Sequence, residues 1–305
     1  MFNNPFTKSG NWYKGAFHIH TTVSDGKLSP KESMKLYQRL GFDFMILSEH
    51  EKIVDYASLA PPGLLTIPGV EYEAGELYNG HRYHIVAIDI PADFQLKRVR
   101  EFTSVQDTID QITASGAEAV IAHPYWYGMM FSDLMKITDY LGIEVFNWGC
   151  EAGIGGGRGL SSPHWDQLLS SGRKIYGFSG DDTHYYSYDV AGGWIVVKSS
   201  DLTRENIMAA IRKGEFYSSS GPNIVDLDVS RGTIKVTCDP AKFINFVTMP
   251  TLGKRIDAKR KTPLKSCEVK IKQDLFFGGN PKGYIRIELE DLMGKRCWLN
   301  PIFLD

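Results

Sequence analysis

The sequence predicts an α/β barrel followed by a small antiparallel β domain. Over residues 1 to about 218, short β-branched or aromatic runs alternate with helical patterns, the texture of βαβ units and a mainly parallel sheet. Roughly seven strand candidates fall in that stretch, which suits a closed barrel better than an open sheet. After SGPN at 220–223 the pattern changes to alternating segments such as IVDLDVS, TIKVTC, FINFVTM and YIRIELED, broken by Gly, Pro and Asp. The expected division is therefore 1–220 for the larger domain and 221–305 for a small β-rich, sandwich-like one.

The elements follow in order. GAFHIH reads as the first strand, and Ser29, Pro30 and Glu32 then form an N-cap, N1 and N3 series for a helix that stops near Gly41. FMILS, LLTIPGVEYE, YHIVAID, AVIAH, IEVFN, KIYGFSG and GWIVVK are further strands, with helices centred on 105–114, 132–140, 163–171 and 203–213. In a parallel α/β fold the carboxyl ends of such strands meet on one face, so distant residues can share a site.

Composition narrows the function classes. The chain has 305 residues, 43% hydrophobic and 23% charged, with a formal net charge of −2, which gives no general attraction for nucleic acid. No secretion signal and no membrane-length apolar run is visible, so a cytoplasmic protein without a membrane partner is expected. Cys150, Cys238, Cys267 and Cys297 lack CxxC spacing and read as free thiols.

The chemistry concentrates at strand ends. In FHIHTTVSDG, His18 and His20 are two apart, which on a regular strand turns both imidazoles to one side, and Asp25 follows in the loop. His50 ends SEH, Glu71 ends GVE, His84 lies in YHIVAI, His123 opens AHP, and Asp182 and His184 lie in SGDDTH. Nine such N/O side chains at successive strand ends are costly to bury unpaired, and a metal cluster removes that cost. Asp181 is a candidate to orient a metal-bound imidazole. His81 and His164 read as packing or surface residues.

The order HIHTTVSDG, SEH, GVE, YHIVAI, AHP and SGDDTH resembles the PHP (polymerase and histidinol phosphatase) superfamily of metallo-phosphoesterases over residues of about 12–190. WYKGAFHIHTTVSDG, WIVVKSSDLTRENIMAAIRKGEFYSSSGP and CWLNPIFL look like its CehA/McbA-type branch, which extends the likeness over nearly the whole chain. The resemblance implies a distorted (β/α)7 barrel with two or three divalent cations. Carried over, His18, His20, Glu71 and Asp182 would hold one metal, Glu71, His84 and His123 a second, and Asp25, His50 and His184 a third. Asp25 stands where some members have a third histidine, which lowers the charge of the third site.

Mixed N/O ligands without thiolate suit zinc, manganese or iron. Such cations outweigh the carboxylates of Asp25, Glu71 and Asp182, so the pocket favours a small anionic partner, a phosphorylated one above all, with nucleic acid entering only as a substrate. The expected activity is phosphoester hydrolysis of a phosphorylated metabolite, nucleotide or oligonucleotide end, by a hydroxide held between metals at Glu71, His123 and Asp182. His184 or Asp25 could assist proton transfer. Arg158 in GIGGGRG is a candidate phosphate contact, and Tyr125, Trp126, Trp148 and Tyr185 are candidates to stack on a flat group. Two other readings stay open: a carboxylic ester or carbamate hydrolase on the same cluster, and a non-catalytic binding protein stabilised by its metals.

Overall fold

The computed structural model describes residues 3–98, 104–259 and 262–304. The larger part runs β1 (Asn11–Ile19), α1 (Pro30–Arg39), β2 (Phe44–Leu47), β3 (Leu65–Ala74), β4 (Tyr83–Ile88), α2 (Val105–Ala114), β5 (Glu118–Ile121), α3 (Phe131–Met135), β6 (Gly142–Asn147), α4 (Trp148–Ala152), α5 (Ser162–Ser170), β7 (Tyr176–Gly180), β8 (Trp194–Ser199), α6 (Arg204–Arg212) and β9 (Phe216–Ser219). Each forms where local chemistry favours it. Ser29 accepts from the Glu32 amide, Glu32 accepts from the Ser29 amide in return, and Pro30 fills the first turn of α1. β2 and β6 are buried on both faces, as their unbroken apolar runs require. The helix expected over 132–140 is shorter, α3 alone, and Asp139 beyond it adopts a left-handed φ of 58°.

The fold is a mixed α/β structure rich in sheet. β1, β2 and β3 are parallel, as are β5, β6 and β7. The expectation of a mainly parallel sheet needs correction at β4, which is antiparallel to both β3 and β5. The connection over 75–82 is too short for a helical crossover, so the chain must turn back as a hairpin. β8 is likewise antiparallel to β1. At the other end, the Asp181 and Asp182 amides just beyond β7 donate to the carbonyls of Phe17 and His18 in β1, and the His20 amide donates to Thr183.

The remaining strands are β10 (Ile224–Ser230), β11 (Thr233–Val247), β12 (Gly253–Asp257), β13 (Leu264–Lys270), β14 (Gly283–Asp291), β15 (Arg296–Leu299) and β16 (Ile302–Leu304). All their pairings are antiparallel, and β15 joins them to β9. Trp298 of β15 is fully buried 5.2 Å from Phe146 of β6, within the core of the larger part. Arg286 of β14 is buried and forms a two-pronged pair with Asp166 of α5 at 2.5 and 2.6 Å, its third arm meeting Glu288 at 2.7 Å. Asp166→Ala would leave that guanidinium short of partners, so we expect a loss of about 2–4 kcal/mol in urea unfolding; a change below about 0.5 kcal/mol would contradict it. Among the described residues, no helix is long and apolar enough to cross a membrane.

Candidate metal centre

The nine strand-end residues come together at one mouth. His18 sits at φ 62° in a bulge of β1, where the register with β2 shifts between Ala16 and Ile19. The two-residue period is therefore not what aligns His18 with His20; the bulge re-aims one of them. Both Nε2 atoms nevertheless reach Glu71 Oε2, at 3.1 and 3.2 Å, and Asp182 Oδ1, each at 3.4 Å. Strand register explains His84: it lies directly across from Glu73 and diagonal to Glu71 in the β3–β4 pair, on the same face as both. Its Nδ1 is 2.7 Å from Glu71 Oε1 and its Nε2 3.5 Å from Glu73 Oε1. His123 Nε2 is 3.2 Å from the same Glu71 oxygen.

His50 pairs with Glu71 across a bridge beyond β2, its Nδ1 3.1 Å from Glu71 Oε2 and its Nε2 3.7 Å from Asp25 Oδ2. His184 Nε2 is 3.4 Å from Asp25 Oδ1. Three overlapping sets result: His18, His20, Glu71 and Asp182; Glu71, His84 and His123; and His20, Asp25, His50 and His184. His20 joins the last set, which the motif transfer did not anticipate. That set is also the most open, with the Asp25 side chain 55% exposed.

The donor chemistry fits divalent cations. His18 Nε2, both ring nitrogens of His20, Glu71 Oε2 and His123 Nδ1 are buried without a hydrogen-bond partner. Nitrogen and oxygen atoms there approach closely but out of hydrogen-bonding alignment, as ligands aimed at a shared centre do. Two ligands about 2.0–2.1 Å from a tetrahedral zinc stand roughly 3.3 Å apart, close to the His18, His20, Glu71 and Asp182 spacings. His123 and Asp182, at φ 29° and 51°, join His18 in the left-handed region, a strain commonly found at functional sites.

Neighbouring groups hold the candidate ligands. Glu144, fully buried in β6, accepts from His18 Nδ1, the His123 amide and Asn147 Nδ2, each at 2.8 Å. His184 Nδ1 donates to the Asp182 carbonyl at 3.0 Å, which leaves Nε2 toward Asp25. Glu49 accepts from the Thr21 and Ser24 amides and from Tyr56, tying down the turn that carries Asp25. In that turn a Cβ on Gly26 would lie 2.4 Å from the His20 carbonyl, so only glycine fits. A carboxylate inside the otherwise apolar IEVFN strand was the available signal for Glu144.

Other expectations are corrected. Asp181 pairs with no imidazole; its carboxylate accepts from Tyr37, Ala191, Gly192 and Gly193, while the left-handed φ of 51° at Asp182 turns the next side chain toward the histidines. Arg158 is exposed, donates its Nε to Gly155 and is not among the residues lining the cleft. Trp126 and Tyr185 do line this cleft of about 280 Å³, together with Glu73, Tyr127 and Tyr188, whereas Tyr125 and Trp148 do not. His81 and His164 stand outside the cluster, His164 Nε2 bonding the Met129 carbonyl at 2.9 Å.

Electrostatics match a site that trades protons for cations. Burial opposes protonation of His84, but Glu71 and Glu73 outweigh it and hold its pKa at about 9. His184 is likewise lifted to about 9, against burial, by Asp25 and Asp182. Burial, then the carboxylates of Asp182, Glu144 and Glu71, push the Cys150 thiol far up, so it is no nucleophile. Both imidazoles are raised above the ordinary 6.5, so in metal-free protein their stabilisation is complete below about pH 6.5 and is lost as pH rises through 9. The melting temperature of chelator-treated protein should fall across that window, more steeply than that of metal-loaded protein; parallel curves would count against it.

No family model and no curated protein matches the chain. Among solved structures, a two-domain protein containing a predicted PHP-like metal-dependent phosphoesterase from Bacteroides vulgatus is similar at 16% identity and TM-score 0.52, over 95% of this chain and 95% of that one. An amidohydrolase from Chromobacterium violaceum aligns at 17% identity and TM-score 0.45 over 58% of this chain and 89% of its own. A lesion-specific endonuclease from Pyrococcus furiosus aligns at 14% and 0.42 over 67% of this chain and 56% of its own. The molecule is thus a mixed α/β protein with a histidine–carboxylate centre. Its fold is PHP-like, in agreement with the motif order in the sequence.

Proposed function

We propose that the chain is a metal-dependent hydrolase, and within that class a phosphoesterase. The observation that supports it most is the set of buried, unpartnered nitrogen and oxygen atoms converging around Glu71. His18, His20, Glu71 and Asp182 would hold one cation, Glu71, His84 and His123 a second, and Asp25, His50 and His184, with His20, a third. Cations there supply Lewis acidity toward an ester oxygen and an activated water at neutral pH. The chain's own residues do the rest. Glu144 fixes the His18 ring, and the Asp182 carbonyl fixes that of His184. The Tyr127 hydroxyl, 3.0 Å from His84 Nε2 and kept protonated by burial and by Glu71 and Glu73, faces the cleft as a donor for substrate oxygen. The distorted (β/α)7 barrel over 1–220, with 221–305 as an appended β-rich unit, belongs to this proposal; the hydrogen bonds from beyond β7 to β1 support it.

A carboxylic ester or carbamate hydrolase is the second reading, favoured by one feature: no lysine or arginine lines the cleft among the described residues. A panel of phosphate mono- and diesters beside aryl esters and carbamates separates the two. Metal-replete protein is expected to cleave phosphate esters at least tenfold faster; cleavage of the carbamates alone would reverse the choice.

A further inference from the structure

Resting on the phosphoesterase reading, we propose that the substrate carries one phosphate and an uncharged planar ring, which lies against an aromatic wall made by Trp126, Tyr185 and Tyr188. Charge comes first. Apart from the cluster, the acidic residues of the cleft lining are Glu73, which pairs with Arg82 at 3.6 Å, and the buried Asp189, and among the described residues no lysine or arginine lines it. A second phosphate would find no basic side chain on that lining, where Lys27 Nζ comes no nearer than the outer side of Tyr185, 6.0 Å from its ring centre, so a singly phosphorylated substrate fits better than a polyanionic one.

Exposure comes second. Tyr185 is 48% and Tyr188 40% exposed, and their rings stack on each other 5.6 Å apart at 25°. Both, with half-buried Trp126, open onto the same cleft as the histidines. Large aromatic faces left open beside a built polar centre are where a flat ligand gains most. A cleft of about 280 Å³ suits one ring system with its phosphate.

The wall is also held in place before any ligand arrives. The buried Asp189 carboxylate accepts from the amides of His184, Tyr185 and Tyr186 at 2.6–2.7 Å. The Tyr186 hydroxyl ties the same loop to the His20 carbonyl and to Ser33. Gly153 makes room for the neighbouring ring: a Cβ there would lie 2.3 Å from Tyr188 Cε2. That contact gives the GIGGGRG loop a use, as the seat of Tyr188 and not as a phosphate loop. Rings fixed in advance lose little freedom on binding.

Benzylphosphonate and cyclohexylmethylphosphonate share head group and carbon count, differ in planarity, and are not hydrolysed as phosphate esters. Titrated by calorimetry into metal-replete protein, the benzyl compound should bind roughly fivefold to tenfold tighter. Tyr188→Ala, Tyr185→Ala and Gly153→Ala should bring the ratio toward one, and Tyr188→Phe should keep it. A second phosphonate on the ring should weaken binding. Equal affinities for the two compounds, or a preference untouched by the tyrosine-to-alanine changes, would overturn the aromatic wall whatever the hydrolysis panel shows. A persisting ring preference without turnover of any phosphate ester would instead leave the wall standing and remove the phosphoesterase reading.

Discussion

Glu71→Gln should be the most damaging conservative change in the molecule, removing at least one equivalent of bound metal and lowering turnover by roughly a thousandfold or more. The reason is geometric. Glu71 is 1% exposed, and its two oxygens lie within 3.2 Å of five imidazoles: His18, His20, His50, His84 and His123. The imidazoles of His18 and His84, against the opposing effect of burial, hold its carboxyl well below the ordinary range, so it is an anion at any working pH. Glutamine keeps the shape and loses the charge, and an unfolding midpoint close to the parent's in metal-free protein separates metal loss from a fold defect. Elemental analysis of protein purified without added metal, beside His20→Ala and Asp182→Ala, gives the check; a full metal complement in Glu71→Gln would end the proposal of a shared bridging ligand.

Glu144→Gln should have the second largest effect, weakening metal affinity about 10–100-fold although Glu144 is in none of the three ligand sets. Its oxygens hold His18 Nδ1, the His123 amide and Asn147, and Asn147 Nδ2 in turn lies 3.2 Å from Asp182 Oδ2. A glutamine can turn only one oxygen toward these donors and presents an NH2 to the others. Competition with a chelator of known affinity measures the change. Glu144→Gln indistinguishable from the parent would mean that His18 needs no such support. Glu144→Asp, too short to span all three donors, should fall between.

The candidate site was largely legible from the sequence because its proposed ligands are marked by residue type and by position at the ends of apolar runs. Histidine beside a strand that is otherwise Val, Ile and Phe has no cheap structural reading. The supports were not legible for the opposite reason. Glu49, Glu73, Glu144 and Tyr127 belong to types that are usually solvated or packed, and what gives them a role is the partner brought up from 21 to 126 residues away, or by a strand pairing as for Glu73 and His84.

Strand texture, the capping series at Ser29 and the order of ligand motifs were determined by the sequence alone, since each depends on neighbours a few residues apart. Only the tertiary structure decided the reversal of β4, the bulge at His18, the partners of Asp181, the position of Arg158 off the cleft lining, and the stacking of Tyr185 on Tyr188. Those depend on which strands become neighbours and on a single residue's φ, quantities that long-range packing sets and no local pattern encodes.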